Sequence, residues 1–179
     1  MTSYHSIDSG DAPNRWTSHV PLDHPDSQAK LREHAWLANA LPAADFARLA
    51  ALVRSRQYCP ARTRFIGVGQ RSTAVHLLDD GWAVTHCDLA DGRRQVVDVR
   101  IPGDLVGLRA LWFPVADASV SAITEVNTIE WSARDLRDAA AAIPDLGRVM
   151  AAALARDAAI MTQRLAAVGR RSAYEATAF

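Results

Sequence analysis

The spacing of hydrophobic residues changes character twice along this chain. Residues 1–30 carry scattered Ser, Asp, Pro and His with no apolar period, and read as a flexible N-terminal arm. From Leu31, the stretch "LREHAWLANALPAADFARLAALVRSRQY" places apolar residues at helical spacing in two pieces broken at Pro42. In the second piece Phe46, Leu49, Leu52 and Val53 share a face, and Cys59-Pro60 is expected to end it. The pattern then shifts to period two or to short apolar runs. The candidate strands are "TRFIGVG", "AVHLLDDGWAVTHCDL", "RQVVDVRI", "DLVGL", "ASVSAITE" and "NTIEWS". Gly-Gln-Arg-Ser, Asp-Asp-Gly, Ala-Asp-Gly-Arg and Pro-Gly-Asp separate them, and all four are turn chemistry. Strands recurring at such short intervals predict a small antiparallel barrel or sandwich.

After Ser132 the helical period returns. "ARDLRDAAAAIP" predicts a short helix closed by Pro144, and "DLGRVMAAALARDAAIMTQRLAAVG" predicts a long one rich in Ala, Leu, Met and Arg. Leu154, Met161 and Val168 fall seven apart, and Ala151, Ala158 and Leu165 form a parallel row on the same face. With Arg148, Arg156, Arg164 and Asp157 around it, this seam suits a helix packed against its twin. The other reading is a stripe lying on its own barrel. A helix of about 25 residues is roughly 37 Å long at 1.5 Å per residue, which outreaches so small a barrel.

Composition adds exclusions. The 179 residues carry 20 basic and 20 acidic side chains, so no global field draws the chain to nucleic acid or to an anionic membrane. Lys30 is the only lysine. Apolar runs such as Ala110 to Ala116 are far too short to span a bilayer, and with no signal peptide a cytoplasmic location is expected. Cys59 and Cys87 are expected as reduced thiols, too few to ligate an iron–sulfur cluster. His5, His19 and His24 lie at irregular spacing, and no metal site is expected. His76 and His86 lack the H-x-H pattern of a metal-dependent jelly-roll enzyme, so no catalysis is expected.

The order of these parts resembles the sensor domain of Crp/Fnr-type bacterial transcription regulators over roughly Leu31 to Phe179. The segments that carry the likeness are "LLDDGWAVTHCDLADGRRQVVDVRIPGDLVGL", "SAITEVNTIEWSARDL", "IPDL" and "VGRRSAYEATAF". The resemblance implies a mainly β, α+β fold: an antiparallel double-stranded β-helix, or jelly roll, of the cyclic-nucleotide-binding type, followed by a long dimerisation helix. Its implied divisions are an arm at 1–30, an eight-stranded roll with short flanking helices at 31–143, the long helix at 144–169, and a hinge with the start of a DNA-binding module at 170–179.

In that family a cassette after the Pro-Gly-Asp corner holds a cyclic phosphate. By resemblance Gly107 matches its glycine, but Leu108 stands at the position of the glutamate that holds the ribose. Arg109 is the adjacent cation. The phosphate-capping Arg-Ser pair falls near Ala116-Asp117 or Ala118-Ser119, leaving Ser119 as the surviving polar match beside Val120. The adenine-reading hydroxyl pair falls on Met161-Thr162. The expected pocket, framed by Leu108, Leu111, Trp112, Phe113 and Val120, is apolar, so cyclic nucleotide is not the expected effector and no cofactor is assigned. Either a different small ligand or the chain's own side chains fill it. A haem-sensing relative would need a poised His or Cys; His76, His86 and Cys87 lie on the strand pair around "DDGWAV", where alternation puts His86 and Cys87 on opposite faces.

Gly169, Arg170 and Arg171 resemble the family's hinge, and nothing after them reads as a recognition helix. The implied function is the sensor and dimerisation domain of a DNA-binding regulator. Its partners would be a second copy through the long helix, DNA through a module outside this chain, and a small-molecule effector. The alternative is a stand-alone module acting through protein–protein interaction or mixed dimers. A reading frame continuing past Phe179 into a helix-turn-helix pattern would separate them.

Overall fold

Three short helices, eight strands and two further helices make up the described chain, which in the computed structural model comprises residues 24–170. The helices α1 (His24–Glu33), α2 (Ala35–Ala40) and α3 (Ala43–Ala51) precede the roll, and α4 (Ala133–Ala142) and α5 (Pro144–Arg170) follow it. The first helix starts inside the segment expected to be a polar arm. Its buried apolar anchor, Leu31, sits near its end, so no period marks its beginning in the sequence.

The strands are β1 (Val53–Cys59), β2 (Arg64–Ile66), β3 (Ala74–Asp80), β4 (Ala83–Asp88), β5 (Arg94–Arg100), β6 (Leu105–Val106), β7 (Ser119–Ala122) and β8 (Val126–Ser132). They pair antiparallel in two four-stranded sheets, β1-β8-β3-β6 and β2-β7-β4-β5. This is the expected jelly-roll layout. One correction concerns its first strand. The helical pattern was expected to run on to Cys59-Pro60, yet α3 ends at Ala51 and Val53–Cys59 is a strand. Its inward positions include Ser55 and Gln57, whose side chains hydrogen-bond each other at 3.0 Å, so the strand lacks the apolar alternation that would announce it.

The sheet containing β3 and β8 is covered on both sides. Val75, Leu77, Ile129 and Trp131 face the helices and pack with Phe46, Leu49, Leu136, Leu146 and Met150. Leu78 and Val126 face the roll interior with Phe65, Ala83, Val106 and Val120. Trp131 is buried, and its indole N–H donates to the Leu49 carbonyl at 3.0 Å, satisfying a C-terminal group of α3. Ser132 caps α4 by accepting from the Asp135 N–H. Pro144 then opens α5 at a position where its missing N–H costs nothing.

Two polar clusters are closed into this frame. Asp79 is buried between His34, 3.3 Å away, and Arg56. Burial alone would raise its carboxyl, but hydrogen bonds from His34 and Arg56 outweigh that and hold it below the usual carboxylate range. His76, on the roll-facing side of β3, contacts the Thr128 hydroxyl at 3.3 Å and meets Phe65 edge-on. Burial lowers its pKa to about 4.

The His76 shift has a pH consequence. Between pH 6.5 and 4 the unfolded chain protonates this imidazole while the folded chain does not, so stability falls as pH falls through that window. Urea denaturation at pH 6.5 and pH 5.0 should show His76→Gln losing about 1–2 kcal/mol less than the parent chain over this step. Equal losses in the two chains would show that His76 does not titrate this way.

Candidate functional site

The site is built on the corner between β5 and β6. Pro102-Gly103 turns the chain, the Asp104 carboxylate accepts from the Ile101 N–H at 3.0 Å, and the Trp36 indole of α2 donates to the Gly103 carbonyl at 2.9 Å. Two residues of strand follow, and then Gly107 adopts a left-handed conformation with φ +77°. A Cβ there would lie 2.9 Å from the Ala74 carbonyl oxygen, a backbone atom that cannot swing aside, so glycine is required. Gly107 leads into a 3-10 turn over Leu108–Leu111.

The side chains on this turn do not form a polar cradle. Leu108 and Leu111 point into the helix-side core and are buried. Arg109 is exposed, pairs with Asp117 and lies 5.9 Å from the centre of the Phe113 ring. Of the expected pocket frame, Leu108, Phe113 and Val120 line the cavity behind this turn, whereas Leu111 is buried in the helix-side core and Trp112 is directed outward and largely exposed. Ser119 is fully buried and accepts from the Val68 N–H at 3.1 Å, so its hydroxyl holds the loop after β2.

Met161 and Thr162 also stand apart from the turn. Both lie on the exposed side of α5, and the Thr162 hydroxyl donates back to the Ala158 carbonyl at 2.9 Å. Within one chain they do not join Gly107, Leu108 and Val120. The seam residues Ala151, Ala158, Met161 and Leu165 are all exposed and Leu154 is half-buried; the side chain of Val168 lies outside the described residues. Of the hinge residues, Gly169 and Arg170 end α5, and Arg171 lies outside the described residues.

Between the 3-10 turn, the roll and α5 lies a cavity of about 90 Å³, lined by Ile66, Thr85, Arg100, Leu108, Val120 and Asp157 among others. Arg100 and Asp157 were not expected here. The Arg100 side chain is only 14% exposed and bridges Asp157 with two bonds of 3.0 and 3.3 Å. It also lies 3.1 Å from Asp98, which in turn pairs with Arg164 of α5. The strand carrying these groups is inverted: Val96, Val99 and Ile101 face outward while Asp98 is buried and Arg100 nearly so. The sequence did hold a signal. Asp98 and Arg100 are two apart on a strand, and Asp157 and Arg164 are seven apart on a helix, so each pair shares a face.

Two other cavities adjoin it, the first sharing Leu105, Leu108 and Asp157 with it and the second Ile66 and Ser72. One of about 200 Å³ sits between Trp36, Leu105, Val149, Ala153 and Arg156, and a polar one of about 170 Å³ is lined by Gln70, Arg71, His76 and Glu130. His86 is fully buried, contacts the Ser121 hydroxyl at 2.9 Å, and lies 3.4 Å from the Asp88 carboxylate. Cys87, its neighbour on β4, is half-buried and points to the other face. Burial pushes the Cys59 thiol up to about 11, which keeps it protonated and unreactive. Among the described residues, no three His, Cys, Asp or Glu side chains converge as a metal site, and no helix is long and apolar enough to cross a membrane.

Residues 56–142 match the family model of the cyclic nucleotide-binding domain. Among solved structures, FixK2 from Bradyrhizobium japonicum is 21% identical with a TM-score of 0.63, over 66% of this chain and 59% of that one. The catabolite activator protein of Thermus thermophilus is 18% identical with a TM-score of 0.62, over 72% and 61%. The c-di-GMP-responsive global regulator CLP of Xanthomonas campestris is 18% identical with a TM-score of 0.63, over 73% and 66%. The chain thus spans about three fifths of the first two, and at these identities the likeness is one of fold. A comparison with curated protein sequences finds no match.

The burial of Leu108 makes a reversal of its chemistry costly. Leu108→Glu should lower stability by roughly 3 kcal/mol, the cost of an unpaired carboxyl in an apolar core. Urea titration of the two chains measures it, and a variant as stable as the parent would show that position 108 opens to solvent.

Proposed function

We propose that this chain, whose residues 56–142 match the family model of the cyclic nucleotide-binding domain and whose fold is similar to that of Crp/Fnr-type regulators, is the sensor and dimerisation part of a DNA-binding transcription regulator that does not respond to cyclic AMP. The observation that carries the second half is the turn after Gly107. Its left-handed corner is kept, while the side chain at the expected ribose-binding position is Leu108, buried in the core. The acid Asp117, near the expected phosphate position, already engages Arg109. With that pair closed, Arg109 offers no free cation to a cyclic phosphate. The cavity of about 90 Å³ is also small against the roughly 300 Å³ and more of typical ligand pockets. The fold leaves the ligand open: the Xanthomonas campestris regulator that shares it is c-di-GMP-responsive.

The partner is a second copy of this chain. The roll takes up one side of α5 through Leu146, Val149, Met150 and Ala153, leaving the row Ala151, Ala158, Met161 and Leu165 uncovered, with Leu165 72% exposed. Arg164 donates to the Val97 carbonyl, so the edge strand bearing exposed Val96 and Val99 lies beside that row. Together they form an apolar strip that pairing of two α5 helices would cover, with small alanines permitting close approach. In this reading an effector acts by changing the tilt or register of the helix pair, and with it the orientation of DNA-binding modules beyond Gly169. The setting is the cytoplasm.

Two measurements test this reading. Calorimetry with cyclic AMP should give no binding tighter than about 10 μM, roughly −7 kcal/mol; a tighter isotherm would overturn the effector assignment. Sedimentation should find the parent chain dimeric and Met161→Glu monomeric at micromolar concentration, with dimer dissociation strengthened at least about 100-fold by two charges meeting in the seam. A variant with the parent's mass would remove the seam from the interface.

A further inference from the structure

Four charged groups link the roll to the long helix in one chain: Asp157, Arg100, Asp98 and Arg164. Two come from β5 and two from α5, and their charges alternate and cancel. Arg100, with Asp157 beside it, lines the cavity behind the 3-10 turn. Its guanidinium takes Asp157 across two bonds, Asp98 on a third side, and the Thr85 hydroxyl 3.4 Å from Nε. Arg109, also on the cavity wall, is already neutralised by Asp117.

The carboxylate that meets Arg100 is therefore brought in by a separate element. Asp98 and Arg100 sit on one strand and stay together whatever α5 does, whereas Asp157, with its side chain 36% exposed, leaves with the helix. When it leaves, the Nη1 and Nη2 positions that held Asp157 turn to the cavity, with Asp98 still beside Nη2, and planar two-point recognition is what guanidinium offers to carboxylates and phosphates. A volume of about 90 Å³ is roughly that of three waters at about 30 Å³ each. It admits a small oxyanion.

We propose that this cavity is a small-anion site built on Arg100, with Asp157 as its tethered resting occupant. A free small carboxylate or phosphate entering the cavity exchanges with Asp157 and releases α5 from β5. The proposal rests on the sensor reading above and adds to it a ligand class and the bond through which the ligand reaches the helix. Reciprocity follows: whatever loosens α5 strengthens anion binding by the same factor.

The test uses the full chain, with inorganic phosphate and acetate as separate probes against potassium chloride at matched ionic strength. Asp157→Asn keeps the shape and removes the internal competitor. It should bind one of the two probes saturably, at least about tenfold more tightly than the parent, by calorimetry and by a rise in thermal midpoint. Asp157→Asn combined with Arg100→Gln should bind neither, and Arg164→Gln, which loosens α5 from β5 while leaving Asp157 on Arg100, should bind more tightly than the parent but less tightly than Asp157→Asn. Tighter phosphate identifies a phosphate-type ligand, and tighter acetate a carboxylate. No saturable binding to Asp157→Asn, or equal binding after Arg100→Gln, overturns the proposal. Should Asp157→Asn fail to fold, amide exchange of the parent decides. Saturating probe should speed exchange in α5 from residue 154 onward, and protection unchanged at saturation overturns it. Sedimentation of the parent reports dimerisation independently, so a monomeric parent would count against the sensor-dimer reading and leave the anion result standing.

Discussion

Burial of β3 and β8 on both faces is the constraint from which the architecture follows. A sheet packed on one side tolerates water on the other, but these strands have helices over Val75, Leu77, Ile129 and Trp131 and the roll interior under Leu78 and Val126. Each polar side chain caught between must find a partner there, as His76 does with Thr128 and Asp79 with His34 and Arg56. The helices are thereby fixed relative to the roll, and α5 leaves the core in a set direction. The functional reading depends on that direction, since it places one side of α5 against β5 and leaves the adjoining side open.

The sequence and the structure agree where one physical signal dominates. Turn residues at Asp80-Gly81, Asp91-Gly92 and Pro102-Gly103 delimit strands clearly, and an alanine-rich run from Arg148 to Val168 without Pro or Gly announces most of α5. Agreement fails where burial and polarity are decoupled. The strand β1 turns Ser55 and Gln57 inward, so its alternation is invisible to an apolar template. The start of α1 carries too little apolar surface to register before Leu31.

The site was legible in outline only. Gly107 and Leu108 mark the corner and its altered chemistry, because a left-handed glycine and a missing acid can both be read from residue identity. The placement of Ser119, Met161 and Thr162 needed coordinates, since each hydroxyl or thioether has a choice of faces that packing decides. Arg100 with Asp157 was hidden for a different reason. Their meeting joins segments 57 positions apart, and inward charges on β5 become sensible only when the helix that neutralises them is in place.

Helix α5 also has a mechanical aspect. Its contact with β5 at Asp157 is followed by 13 residues to Arg170, about 20 Å of stiff rod at 1.5 Å per residue. Arg164 acts as a second strut partway along that rod. If both struts let go, a tilt of about 10° about the first would swing the far end by roughly 3–4 Å, by the geometry of a rod that long. A change of one ion pair inside the roll is thereby geared up into a displacement the width of an atom, delivered where the helix ends.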